Sequence, residues 1–266
     1  MSDVALKSLG QTVKMFTLTT HMKTATTDLQ TSVSSTPIHA YDFMHVAASV
    51  DCVIFGFDNH KLKVLLIKSD LELYKNKWSL LGDIVRPDED VDQTVLRVVT
   101  NRTGLDDVYM EQVQTFGKAK RHPEGRVITI AYCSLINIKH NKLKILDNEL
   151  RWHDVDTLTK ANTAFDHKEI LDSCYAWLQR RMQEHPLGLN LLEKQFSLRD
   201  LQHLYESILE EKMDRRNFRK KFFSMGLLID TGLIESNVHH RPGKLYSFDY
   251  DKYNSKQRKK WMGVDF

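Results

Sequence analysis

The sequence predicts an α+β fold in two parts: a sandwich of strands and helices over residues 43–185, then a small helical domain with a two-stranded wing over 186–266. Three observations lead there. Val46–Phe57 (VAASVDCVIFGF) is a continuous apolar run, the pattern of a strand buried on both faces, and similar runs follow it. Among those runs, Val91, Val95, Val98 and Val99 recur at helical spacing. Near the C-terminus two helical stretches in close succession lead into two strand-like runs, and the second helix is dense in arginine and lysine.

A chain of 266 residues with 41% hydrophobic content is long enough for two ordinary packed cores. The net charge of +3 decides nothing globally, so the distribution of charge matters more. Cys52, Cys133 and Cys174 stand far apart with no Cys-x-x-Cys pair, which points to reduced, buried thiols in a cytoplasmic protein. Apolar surroundings raise a thiol's pKa, so none of them is read as a nucleophile. His122, His239 and His240 have no zinc-site spacing, and neither a metal nor a cofactor is expected. No apolar run approaches the roughly 18 residues of a membrane span, and the first thirty residues alternate too evenly for a signal peptide. Residues 1–42, rich in Thr, Ser and Lys, read as a disordered extension; Met15, Met22 and Met44 also allow a later start.

In chain order, Asp58-Asn59-His60 supplies turn chemistry and KLKVLLIK returns as a second strand. Trp78–Leu81 is strand-like, and Gly82-Asp83 is expected to break it. Asp90 and Gln93 make a capping box at the start of the valine helix, which Gly104 ends in a left-handed conformation. VYMEQVQTFG and RVITIAYCSLINI follow as strands joined by His122-Pro123-Glu124-Gly125, and LRWHDV is a shorter one. Asp166 and Glu169 are expected to cap the next helix, whose apolar stripe runs from Ile170 to Met182; Pro186-Leu187-Gly188 ends it.

The stretch Trp78–Leu105 resembles the Nudix box, Gly-x5-Glu-x7-Arg-Glu-apolar-x-Glu-Glu-x-Gly-apolar. With the second glycine on Gly104, Glu89 matches the first glutamate, Arg97 the arginine, and Val99 and Leu105 the apolar positions, while Asp83 replaces the opening glycine. The three helix glutamates fall on Val98, Asn101 and Arg102. Hard divalent cations need oxygen ligands, and an isopropyl group, an amide and a guanidinium do not supply them. The resemblance, over about Ala47–Gln183, therefore implies a Nudix-like α/β/α sandwich without its catalytic metal site and no enzyme; an active hydrolase would have to rely on Glu89 and Asp88 as an atypical metal set.

In the C-terminal part, Ser197-Leu198-Arg199-Asp200 is a helix N-terminal signature, followed by Leu201, Leu204, Tyr205, Ile208 and Leu209. Asp214 caps a second helix with Phe218, Phe222 and Met225 inward and Arg215, Arg216, Asn217, Arg219, Lys220 and Lys221 between them, and Gly226 closes it. LLIDTGLIE and LYSF flank a basic loop that holds His239, His240, Arg241 and Lys244, and a basic tail (Lys252, Lys256, Arg258, Lys259, Lys260) ends the chain. Two helices with a tight turn, the second cationic on its outer face, and then a two-stranded wing make a winged helix-turn-helix. DNA binding is assigned to Arg215, Arg216, Asn217, Arg219, Lys220, His240, Arg241 and Lys244; the plainer reading is a helical hairpin with a solvated charged face.

The arrangement as a whole, Ala47–Phe248, resembles the Nudix-related transcriptional regulators. LNLLEKQFSLRDLQHLYESI and MDRRNFRKKF are similar to their sugar-utilisation, arabinose-responsive branch. That resemblance implies a homodimeric repressor on a palindromic operator, with a pentose such as arabinose as effector. A pentose site wants carboxylates or amides beside an aromatic ring. Asp83, Glu89, Phe116, Trp152, Asp166 and His167 are the candidates that border the cleft of the resembling fold. Each also has a plain structural role: Glu89 as partner of Arg97, Phe116 and Trp152 as core, Asp166 as cap, His167 in the first helical turn. A regulator that senses ADP-ribose is the alternative, with Lys118, Lys120, Arg121 and Arg126 as its phosphate lining.

Overall fold

The computed structural model describes residues 46–261 except 70, 107, 140–142, 144–149, 185–190 and 237–240, and side chains as far as 255. The extension over 1–42, Pro186-Leu187-Gly188 and His240 lie outside the described residues. Strand β1 (Ala47–Asp58) turns into β2 (Lys61–Lys68) through Asn59 and His60. Both have left-handed φ values, 50° and 59°, the two-residue geometry whose twist suits a hairpin. β3 (Trp78–Ser79) and β4 (Leu81–Ile84) follow, then helix α1 (Val91–Thr103), β5 (Glu111–Phe116), β6 (Val127–Ile136), β7 (Arg151–Asp154) and helix α2 (His167–Glu184).

The sheet runs β3-β2-β1-β6-β5, with β4 added to β1 and β7 to β2. β1 and β6 are parallel from Ala47↔Val127 to Gly56↔Ile136 and carry the buried centre. Side chains of β1 alternate between two layers, as the period of a strand requires. Val50, Cys52 and Ile54 pack with Val95, Val98 and Val99 of α1. Val53, Phe55 and Phe57 pack with Ile170, Leu171, Cys174 and Leu178 of α2. One helix on each face of a mixed sheet makes the expected α/β/α sandwich.

One local expectation fails. Gly82-Asp83 does not end a strand: β4 continues through them, with Asp51↔Gly82 and Val50↔Asp83 paired to β1. Gly82 is needed for closeness, because a Cβ there would stand 2.6 Å from both the Val50 carbonyl oxygen and Asp51 Oδ1. Gly82→Ala should therefore push β4 off β1 and cost about 1–3 kcal/mol in a urea unfolding titration, the usual penalty of overpacking. An unchanged midpoint would show that the two strands have slack.

The helix caps form as the residues dictate. Gln93 Oε1 accepts from the Asp90 N–H at 2.8 Å, and Gly104 takes φ 70°. The α2 cap differs from expectation. Asp166 sits just ahead of the helix and its carbonyl oxygen accepts from the Glu169 and Ile170 N–H groups. Its carboxylate is held by Arg121 and that of Glu169 by Lys118. Tertiary cations outcompete the local cap here.

The C-terminal part begins with β8 (Phe196–Ser197), helix α3 (Leu198–Leu209) and helix α4 (Arg215–Met225). The wing is β9 (Leu228–Ile234) and β10 (Lys244–Phe248), and β8 adds a third strand on β10 that the sequence pattern does not announce. Residues read as a tail form a further helix, α5 (Tyr250–Trp261). Leu201, Leu204, Tyr205, Ile208, Phe218 and Phe222 pack into a core continuous with the α2 side of the sandwich. Tyr175 Oη and Gln179 Nε2 of α2 both donate to the Ile208 carbonyl of α3, at 2.8 and 2.9 Å. The Leu62 N–H of β2 donates to Ser207 Oγ at 3.2 Å. Among the described residues no helix is long and apolar enough to cross a membrane.

Candidate functional site

The alternation that places Val53 and Phe55 on the α2 face of β1 places Asp51 there too, opposite the start of α2. A carboxylate in the middle of a buried strand must be paired, and Asp51 is 5% exposed. Its Oδ2 accepts from Thr129 Oγ1 at 2.8 Å and stands 3.5 Å from Arg121 Nη2, and its Oδ1 lies 3.4 Å from His167 Nε2. Arg121 also grips Asp166 in the two-pronged manner of a guanidinium on a carboxylate, with bonds of 2.9 and 2.8 Å. Its side chain is 3% exposed.

His167 completes the cluster. The chain crosses from β2 to β1 at Leu80, between β3 and β4, and there the Leu80 N–H donates to His167 Nδ1 at 2.9 Å. That bond requires an unprotonated Nδ1. Burial agrees with it by pushing the imidazole pKa below its ordinary value, against the opposing pull of Asp51. His167 thus stands neutral, with its Nε2–H directed at Asp51.

Above this cluster opens a cavity of about 390 Å³, lined among others by Ser49, Asp51, Lys68, Asp83, Arg102, Arg121, His122, Phe165 and His167. The size falls in the usual range for small-molecule sites, about 300–1,000 Å³. Phe165 has φ 45°, a left-handed backbone that is a genuine outlier for a bulky residue. Its ring stacks on His122 (5.0 Å between centroids, 16° between planes) and lies 4.3 Å from that of Tyr74. The ring contacts hold this strained backbone and set an aromatic wall beside the polar floor.

The six expected effector residues separate accordingly. Asp83 and His167 line the cavity, and Asp166 acts on it through Arg121. Glu89 is tied down: Arg97 Nε meets Oε1 at 2.6 Å, while Nη2 and Thr94 Oγ1 each meet Oε2 at 3.0 Å. The bonds to Arg97 hold its carboxyl below the usual range. Asp83 caps the same guanidinium at 2.6 Å. Phe116 is buried in the core, and Trp152 packs at the edge of the α1 layer. Of the four cations considered for phosphate, Arg121 lines the cavity; Lys118 is bonded to Glu169, Arg126 to the Gly117 carbonyl, and Lys120 is exposed. Sequence reasoning missed Asp51, although a lone charge inside VAASVDCVIFGF was a usable signal. Phe165 and Lys68 carried no such mark.

The box helix offers no set of oxygen ligands. Val98 is buried in the α1 core, whereas Asn101 and Arg102 are exposed. All three cysteines are buried and free, and desolvation pushes their thiols up.

In the winged part, Asp214 caps α4 by accepting from the Asn217 N–H at 2.8 Å. Phe218 and Phe222 point inward. Arg215, Arg216, Asn217, Arg219, Lys220 and Lys221 are all exposed, which gives α4 a cationic outer face. Arg215, Arg219 and Lys244 also line a cleft of about 260 Å³ with His203 and Glu235. Lys244 bonds Asp230 across the wing at 2.8 Å.

A Nudix-type fold joined to a winged helix with a basic second helix is the architecture of a DNA-binding regulator. Residues 188–248 match the family model of the NrtR DNA-binding winged helix domain, and residues 45–174 match that of the NUDIX domain. The chain is 33% identical over 219 residues to the "ADPR responsive transcriptional repressor NtrR" of Acinetobacter baylyi, an alignment spanning 79% of this chain and 86% of the relative. An "ADP-ribose pyrophosphatase" of Methanocaldococcus jannaschii is 31% identical over 137 residues, 51% of this chain and 76% of that one. The structure of Shewanella oneidensis NrtR complexed with a 27mer DNA superposes with a TM-score of 0.68 at 27% identity, covering 78% of this chain and 95% of that one. The chain belongs to the NrtR family of transcriptional repressors. The narrower placement in the sugar-utilisation branch is not what these relatives carry.

Proposed function

We propose that this repressor senses ADP-ribose in the cavity beneath Phe165, and that the occupied form releases its operator. One observation carries the effector: a single cavity joins an aromatic wall, Phe165 with His122, to the cations Lys68, Arg102 and Arg121. That combination suits a base and a diphosphate, and the Acinetobacter baylyi relative is named for its response to ADP-ribose. A free pentose, which the sugar-branch resemblance implied, is neutral and has no anionic group to place among the cations that line the cavity.

DNA contact falls to the outer face of α4, with Arg215, Arg216, Asn217, Arg219 and Lys220, and to Arg241 and Lys244 of the wing; the assignment of His240 also stands as a proposal. A homodimer on a palindromic operator fits, since two recognition helices must meet half-sites about one helical turn apart. Helix α2 supplies a physical route between the sites. Its first residue, His167, lines the cavity, and its Tyr175 and Gln179 hold the end of α3. A ligand regulates only by a difference in affinity between two arrangements. ADP-ribose should therefore weaken binding to a duplex selected by this chain from random DNA, and the duplex should weaken ADP-ribose binding by the same factor, as linkage requires. Coupling of about 1–3 kcal/mol is ordinary and is measurable by calorimetry with and without DNA. Arabinose runs as the second ligand. Equal ADP-ribose affinities in the two titrations would remove the coupling, and a response to arabinose alone would replace the effector.

A further inference from the structure

A helix turns through about 100° per residue, so side chains four apart share a face. On α4, Phe218 and Phe222 take the inward face. Arg216 and Lys220 stand opposite them and are exposed, on the side that a recognition helix lays into the major groove. Arg215 and Arg219 share a third face, on the flank, and both line the cleft of about 260 Å³ between α3, α4 and the wing.

The other walls of that cleft are tied down. From α3, His203 packs its ring on His60 of the β1–β2 turn, 4.1 Å between centroids, and Gln202 Nε2 donates to Glu206 and to the Met213 carbonyl at 2.9 Å each. From the wing, Lys244 bonds Asp230 at 2.8 Å, and Glu235 Oε2 accepts from the Gly243 N–H at 2.7 Å. Arg199 lines the cleft as well and has a partner of its own. Arg215 and Arg219 differ: among the described residues neither has a hydrogen-bond or ion-pair partner. Two guanidiniums one turn apart, at a cleft walled by three elements, suit a projecting anion better than a base edge, which is met in the open groove. The projecting anions of a duplex are its backbone phosphates. We propose that this cleft seats one phosphate of the DNA backbone, held by Arg215 and Arg219, while Arg216 and Lys220 on the outermost face meet the bases. The proposal rests on the reading of α4 as the DNA-contacting helix, and it sorts that helix into residues that position and residues that specify.

The test is anisotropy titration of the full chain over a salt series in phosphate-free buffer. The probes are the duplex it selects from random DNA, single-base variants of that duplex, and an unrelated duplex. Arg215→Ala and Arg219→Ala should each lower affinity for all of them by the same factor, within about twofold. The double alanine variant should reduce the salt slope by about one, the mark of a single phosphate. Lysine at both positions should keep the slope, which separates a lost charge from a folding defect. Arg216→Ala should instead relax preference at one base pair. Arg215→Ala or Arg219→Ala variants that relax preference at one base pair, or that bind every duplex like wild type while Arg216→Ala does not, overturn the phosphate seat and leave α4 as the reading helix. A thermal shift by inorganic phosphate that the double variant loses, together with unchanged DNA titrations, assigns the cleft to a free anion and also overturns it. If none of the three arginines affects DNA binding, the reading of α4 fails and the proposal with it.

Discussion

Replacing Arg121 by methionine is expected to lower folding stability by about 3–5 kcal/mol, the usual result of removing one partner from a buried ion cluster. The guanidinium is 3% exposed and serves two largely buried carboxylates, Asp51 and Asp166. Without it, both are left in a low-dielectric corner. Thr129 and the neutral His167 remain for Asp51, and neither carries a compensating charge. Urea titrations of wild type and Arg121→Met measure the loss. Adding Asp166→Asn should recover part of the loss, since it removes one orphaned charge. A deficit under about 1 kcal/mol would mean that water reaches these groups and that the cluster is not a buried one.

Arg216→Ala and Arg219→Ala are expected to weaken operator binding by about 1–3 kcal/mol each where the arginine meets a base edge, roughly fivefold to a hundredfold and more. Both residues lie on the exposed face of α4, so truncation leaves Phe218, Phe222 and the core untouched. ADP-ribose affinity of the free protein should stay as in wild type, because its cavity is built from the sheet, α1 and α2. The pattern of loss tells the kinds of contact apart. A base contact relaxes preference at one position, whereas a phosphate contact lowers affinity for all sequences and reduces the salt slope by about one. Anisotropy titrations over a salt series, with the selected duplex and single-base variants of it, supply both. If neither substitution changes the titration, α4 is not the helix that reads DNA.

Much of the architecture was legible because it depends on residues close together in the chain. The turn at Asn59-His60, the capping box of α1, the left-handed Gly104, the helix end at Gly226 and the caps of α3 and α4 formed as read. Each is settled by bonds between residues a few positions apart. The two-faced character of α4 followed from helical period alone. The missing carboxylate face on α1 was equally plain, since it needs only the identities of Val98, Asn101 and Arg102.

Where a distant group competes with a local one, the same reasoning failed. Asp166 and Glu169 are spaced as a cap, yet Arg121 and Lys118 hold their side chains. Gly82 has the composition of a break, but Asp51 across the sheet makes it a point of close strand approach. β8 is too short to show a pattern, and it exists because β10 offers it an edge. The sequence by itself determined a Nudix-type sandwich followed by a basic winged helix, because periodicity, caps and residue identity suffice for that. Only the tertiary structure assembled the cavity proposed for the effector. Asp51, Arg121, Phe165 and His167 come from a strand, two loops and a helix start, and packing of the sheet between α1 and α2 alone brings them to one cavity. No local pattern encodes their meeting, for the free energy that joins them belongs to the buried core and not to any single segment.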